Sequence, residues 1–117
     1  MTSSISRAQG NGRMSQIVEH AGVIYLSGQI ADPAGGITEQ TTEILAKIDN
    51  LLAEAGSDKT RILTATIWLK DMTDFANFND VWDAWVVAGQ EPARACGTSD
   101  LAHPDMKVEV MIVAVKA

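Results

Sequence analysis

The stretch Leu63-Thr64-Ala65-Thr66-Ile67-Trp68-Leu69, followed after five intervening residues by Phe75-Ala76-Asn77-Phe78-Asn79-Asp80-Val81-Trp82-Asp83-Ala84-Trp85, decides the fold. In the first part the pattern alternates, with Leu63, Ala65, Ile67 and Leu69 on one face and Thr64, Thr66 and Trp68 on the other. That is a strand at about 61–69. In the second part Phe75, Phe78, Trp82 and Trp85 recur at helical spacing, which places a helix at about 74–88. Thr73 or Asp74 is the expected cap, and the aromatic stripe reads as core. A strand feeding a helix within one short segment marks a sheet covered by helices.

The same grammar extends outward. Thr38 is the expected N-cap of an earlier helix whose stripe is Ile44, Leu45, Ile48, Leu51, Leu52 and Ala55, and Gly56 is its stop. Glu43 and Lys47 are one turn apart on its wet side. Upstream, residues 15–20 and 22–30 read as two strands joined by a tight turn at Ala21-Gly22. In the second of these, Ile24, Leu26 and Ile30 share one face, and Val23, Tyr25, Ser27 and Gln29 share the other. Residues 1–13 read as an irregular lead-in, and two strands at about 93–99 and 106–115 close the chain. The order is β-β-α-β-α-β-β, an α+β sandwich with two helices on one face of a mixed sheet. The opposite face, with Val23, Tyr25 and Trp68, is too apolar for open water, so self-association is expected to cover it.

Composition narrows the function. The 117 residues read as a single domain over 1–117, 46% hydrophobic, with a net charge of −6. That charge and the lack of a Lys/Arg cluster argue against nucleic acid or anionic membrane as partners. Residues 1–16 have no apolar signal core, and a single cysteine suits a reducing, cytoplasmic setting. His20, His103 and Cys96 are scattered, so neither a metal site nor a cofactor motif is expected.

Two charged residues stand out in the closing strands. Arg94 lies in Pro92-Ala93-Arg94-Ala95-Cys96-Gly97, and Glu109 in Lys107-Val108-Glu109-Val110. Arginine holds a carboxylate through two parallel hydrogen bonds, and a glutamate in apolar surroundings is a common general acid or base. Glu109 shares its face with Met111, Val113 and Val115, while Arg94 shares its face with Cys96. The readings that stay open on these features are a pocket for a small organic acid, a structural ion pair, or two charges at wet strand ends. Gly28, inside Ser27-Gly28-Gln29, reads first as a strand-end turn and second as a bulge or a close backbone approach. The Ser27 hydroxyl beside it could meet a ligand carboxylate. Asn79 reads as a solvated helix position, and Cys96 as a small buried thiol rather than a nucleophile.

Taken in order, Ser27-Gly28-Gln29-Ile30, Thr66 to Met72, Asp74-Phe75-Ala76, Asn79, Pro92-Ala93-Arg94-Ala95-Cys96 and Lys107-Val108-Glu109-Val110 resemble the RidA/YjgF family of imine/enamine deaminases. The likeness runs over about residues 12–115. It implies a chorismate-mutase-like fold, a homotrimer with clefts between subunits, and cofactor-free hydrolysis of 2-imino acids such as 2-iminopropanoate and 2-iminobutanoate to 2-keto acids and ammonia. It further implies that Arg94 binds the substrate carboxylate and that Glu109 activates water. Ser27, Gly28, Asn79 and Cys96 would line the pocket. Many members carry Gly-Pro-Tyr where this chain has Gly12-Arg13-Met14, so an aromatic hydroxyl is missing here. A non-catalytic 2-keto acid binding module is the second reading. An endoribonuclease is the third, disfavoured by the acidic charge.

Overall fold

The structure, a computed structural model, describes residues 4–117. Its elements are β1 (Ser6–Gly10), β2 (Ser15–His20), β3 (Val23–Leu26), α1 (Ile37–Glu54), β4 (Ile62–Leu69), α2 (Phe75–Trp85), β5 (Ala93–Thr98) and β6 (Val108–Val115). The six strands form one sheet in the order β1-β2-β3-β6-β4-β5. All neighbours run antiparallel except β4 and β5, which are parallel and joined through α2, as a parallel crossover requires. The expected α+β arrangement of two helices on a mixed sheet holds. No helix of the described residues is long and apolar enough to cross a membrane.

One strand was not expected. Ser6–Gly10 pairs with β2 through Arg7↔Val18 and Ala8↔Ile17, so the lead-in is sheet and not irregular. Its first three residues lie outside those described. The hairpin that follows is closed by Asn11, whose Oδ1 accepts from the amides of Arg13 and Met14 at 2.9 Å each. The β2–β3 turn falls at Ala21-Gly22, both with positive φ (52° and 81°), as two-residue hairpins prefer.

Helix α1 begins at Ile37 with Gly36 as N-cap, one residue before the expected Thr38. Thr38 sits inside the first turn, where its carbonyl accepts from Thr42 Oγ1 at 2.8 Å. The stop is a Schellman pair: Gly56 N–H bonds Ala53 O and Ser57 N–H bonds Leu52 O. Ile44, Ile48 and Leu52 are fully buried against the sheet, each adding roughly 1.5–3 kcal/mol of transfer free energy. Glu43 and Lys47 pair at 3.1 Å on the exposed side.

Helix α2 is shorter than its sequence pattern suggested, because the backbone turns extended at Val86. Asp74 is its N-cap residue, as expected, but makes no side-chain cap bond. The acceptor is Asp71, which takes the Thr73 amide at 2.9 Å in the short 3-10 turn preceding the helix. Phe78 and Trp82 are core, but Phe75 is exposed, and Trp85 is half-buried with its indole N–H bonded to Asp49 Oδ2 on α1 at 3.0 Å.

A second correction concerns β4. Its register against β6 shifts between Ile62 and Thr64, so Ile62 points inward and Leu63 is exposed. Beyond the shift the alternation holds, with Ala65, Ile67 and Leu69 buried beside Val108, Val110 and Ile112. The face away from the helices carries Tyr25, Trp68 and Met111, all more than a third exposed. This is the uncovered apolar face inferred from the sequence.

Candidate active site

The charged residues of the last two strands lie on opposite faces of the sheet. Arg94 is level with Ala65 in the β4–β5 ladder, and Ala65 is level with buried Ile112, so Arg94 is on the helix-covered face at the sheet edge. Glu109 is level with Trp68, which puts it on the uncovered face. Neither forms an ion pair among the described residues, and the ion-pair reading is set aside within one chain.

Arg94 is held by aromatic packing. Its Cζ lies 5.8 Å from the Phe75 ring centroid, 5.8 Å from Phe78 and 5.5 Å from Trp82. Rings at this distance attract the guanidinium and leave its N–H fork unpaired. The aromatic stripe of α2 therefore does more than fill the core. It aims a cation, and exposed Phe75 is part of that platform. Sequence periodicity named these rings but not this role, since the contact crosses from α2 to β5.

A cavity of about 450 Å³ opens beside the guanidinium, lined by Asn79, Trp82, Asp83, Glu91, Pro92 and Arg94. Asn79 is half-buried instead of solvated, and its Oδ1 is buried with no hydrogen-bond partner among the described residues. A buried acceptor left unpaired calls for a donor from outside. Asp83 and Glu91 were not singled out by the sequence, because charged residues near a helix end read as solvated surface. Cys96 shares the face of Arg94, half-buried. Burial pushes its thiol above the usual range, and the Arg94 charge offsets this in part. A thiol shifted that way is a poor nucleophile at neutral pH.

The second cluster surrounds Glu109. Its carboxylate lies across Gly28: a Cβ placed there would come within 3.0 Å of Glu109 Cδ and closer still to an oxygen. The glycine is a place of close approach, the second of its two sequence readings, and not a plain strand-end turn. It is also a bulge. Tyr25 pairs with Val113 and Gln29 with Val110, four steps on one strand against three on the other. The extra residue reverses the side-chain parity, so Gln29 is buried on the core side and does not join Tyr25 on the outer face. The Ser27 hydroxyl donates to Ser15 O at 2.6 Å, which commits its proton inside the chain and leaves its lone pairs. The Gly28 N–H makes no backbone hydrogen bond among the described residues, and the residue itself lies against the carboxylate.

The predicted residues thus fall into two groups: Arg94, Asn79 and Cys96 on one face, and Ser27, Gly28 and Glu109 on the other. One group can hold a small carboxylate, and the other offers a base lying against Gly28. Among the described residues no three His, Cys, Asp or Glu side chains gather as a metal would require.

Comparison with known proteins identifies the family. Residues 4–116 match the family described as Endoribonuclease L-PSP. The RutC family protein YoaB of Escherichia coli is 43% identical over 111 residues, covering 95% of this chain and 97% of that protein. The 2-iminobutanoate/2-iminopropanoate deaminase of Bos taurus is 35% identical over 112 residues, covering 90% of this chain and 81% of that protein. A YjgF-family crystal structure from Neisseria meningitidis superposes with a TM-score of 0.95 at 47% identity, covering 97% of this chain and 96% of that one. With a shared fold, matched length and this level of identity, the chain belongs to the RidA/YjgF family.

Proposed function

We propose that this protein is a cofactor-independent deaminase that hydrolyses 2-imino acids, and their enamine tautomers, to 2-keto acids and ammonia. The observation that carries this reading is the Arg94 guanidinium, fixed over three aromatic rings with no acidic partner beside an open cavity. Its free fork fits a carboxylate bidentately. The family relative named as a 2-iminobutanoate/2-iminopropanoate deaminase supplies the substrate class. Unlike a nuclease, the chain carries a net charge of −6, which disfavours phosphate backbones.

In this reading Arg94 binds the substrate carboxylate, with Asn79 and Cys96 forming the wall. Glu109 takes a proton from water as the oxygen attacks the imine carbon and passes it to the nitrogen, giving a carbinolamine. It then takes the hydroxyl proton as the C=O bond forms and delivers it to the nitrogen as the C–N bond breaks and ammonia leaves. Ser27 and the Gly28 N–H position the reacting atoms. An imine is already electrophilic, so orientation and one proton shuttle suffice. A cytoplasmic setting suits this chemistry.

The two groups of residues lie on opposite faces of the sheet, so each complete site takes its halves from two copies. Edge strand β5 of one copy would meet the uncovered face of the next, burying Tyr25, Trp68 and Met111. A heterologous contact closes into a ring where its rotation allows, and the ring proposed here is the homotrimer that the family resemblance implies. Thr64, Thr66, Ala93 and Ala95 line a shallow cavity of about 360 Å³ that leaves room for close packing.

The test generates 2-iminopropanoate or 2-iminobutanoate in situ and follows keto-acid release. Acceleration by the unmodified protein, lost in Arg94→Ala with the oligomer intact, supports the reading. Saturable binding of 2-oxobutanoate without any acceleration would replace it with a non-catalytic binding module.

A further inference from the structure

We propose that Gln29 is a positioning residue that sets the Ser27–Gly28 bulge against Glu109; this rests on the deaminase reading above. Gln29 is a polar side chain only 6% exposed, buried beside Val110 on the core side of the sheet. Its backbone is bonded to Val110 in both directions, at 2.8 and 3.1 Å, directly next to Glu109 in β6. Its side-chain Nε2 donates to Ser27 O at 3.0 Å, folding back over the bulge, and to Gln16 Oε1 at 2.7 Å. Gln16 in turn accepts the Ser27 amide on its backbone carbonyl at 3.0 Å.

The two glutamines therefore clamp the bulge from the face opposite Glu109. A bulge is the softest point of a ladder, since its extra residue has no paired partner. Here that point carries the Gly28 N–H and the space in which the Glu109 carboxylate lies. An apolar residue at position 29 would fill the same volume. It would leave the part-buried Ser27 carbonyl and Gln16 Oε1 without this donor, and the bulge would relax to reach others. Gly28 would then move relative to Glu109. Gln29 touches no reacting atom in this account and acts through its neighbours.

The experiment compares Gln29→Leu, Gln16→Leu and Glu109→Gln singly and combined. Gln29→Leu is expected to lower kcat at least tenfold while KM, set by the Arg94 half-site, changes less than threefold. The double variant Gln29→Leu/Glu109→Gln should be no slower than Glu109→Gln alone, because both remove the same function. A purely structural residue would give additive losses, and additivity overturns the proposal. Gln16→Leu breaks the clamp from its partly buried partner and should show the same pattern more weakly, which covers a Gln29→Leu chain that does not fold. A readout independent of turnover is the ¹³C resonance of the Glu109 Cδ carboxyl carbon. It should move in both clamp variants. An unmoved resonance in a folded clamp variant also overturns the proposal, even if the unmodified protein deaminates nothing.

Discussion

Arg94 and Glu109 project from opposite faces of one sheet, because Arg94 is level with Ala65 and Glu109 with Trp68 on the strand between them. Two charges that sequence alone could read as each other's partner are thereby separated by the thickness of the backbone layer. Each is free of ion pairs among the described residues.

Replacing Arg94 by lysine keeps the charge and discards the planar fork. If the guanidinium holds a carboxylate bidentately, Arg94→Lys should raise KM by about 10- to 100-fold, the loss of roughly 1.5–3 kcal/mol of charge-assisted hydrogen bonding. Steady-state kinetics on an imino acid and calorimetric binding of 2-oxobutanoate read the same quantity. Equal KM and equal affinity in the lysine variant would remove Arg94 from the binding role.

Gly28→Ala would put a methyl group into the Glu109 carboxylate. The carboxylate must swing away, so kcat should fall on the order of 10- to 100-fold, the scale of a misplaced general base. Overpacking should cost roughly 1–3 kcal/mol of stability, measured by denaturant titration. Unchanged kcat in a folded Gly28→Ala protein would mean that the present position of Glu109 is irrelevant to catalysis.

Cys96 sits beside Arg94, but burial holds its thiol protonated. Alkylation by iodoacetamide should therefore be slow at neutral pH, with a pH–rate midpoint above that of an ordinary cysteine. Cys96→Ser should keep most of the turnover. Rapid alkylation at neutral pH, or loss of turnover in the serine variant, would point instead to thiol chemistry.

Much of this was legible in the sequence, and the exceptions share a cause. The Schellman stop at Gly56, the Ala21-Gly22 turn and the alternation of β6 depend on neighbours within a few residues, so local pattern reveals them. Strand β1 escapes because Ser6-Arg7-Ala8-Gln9-Gly10 has no apolar alternation; it is a strand only through its ladder to β2. The bulges at Leu63 and at Ser27–Gly28 each shift parity by one, which no periodicity count can foresee. They moved Leu63 out of the core and Gln29 into it. The site residues were recognisable as types, yet their division between two faces required the register. The aromatic platform under Arg94 and the cavity lining at Asp83 and Glu91 needed the packing of α2 beside β5.

The claim that each active site draws Arg94 from one copy and Glu109 from another is tested most directly by mixing subunits. Arg94→Ala and Glu109→Gln chains are unfolded, combined in equal amounts, refolded and assayed for imino-acid hydrolysis, with each variant refolded alone as control. Random association into closed rings leaves about one quarter of the sites with both residues intact, so the mixture should regain about that fraction of the unmodified activity. A mixture as inactive as its two parents, in oligomers shown by mass spectrometry to contain both chains, would contradict the shared site.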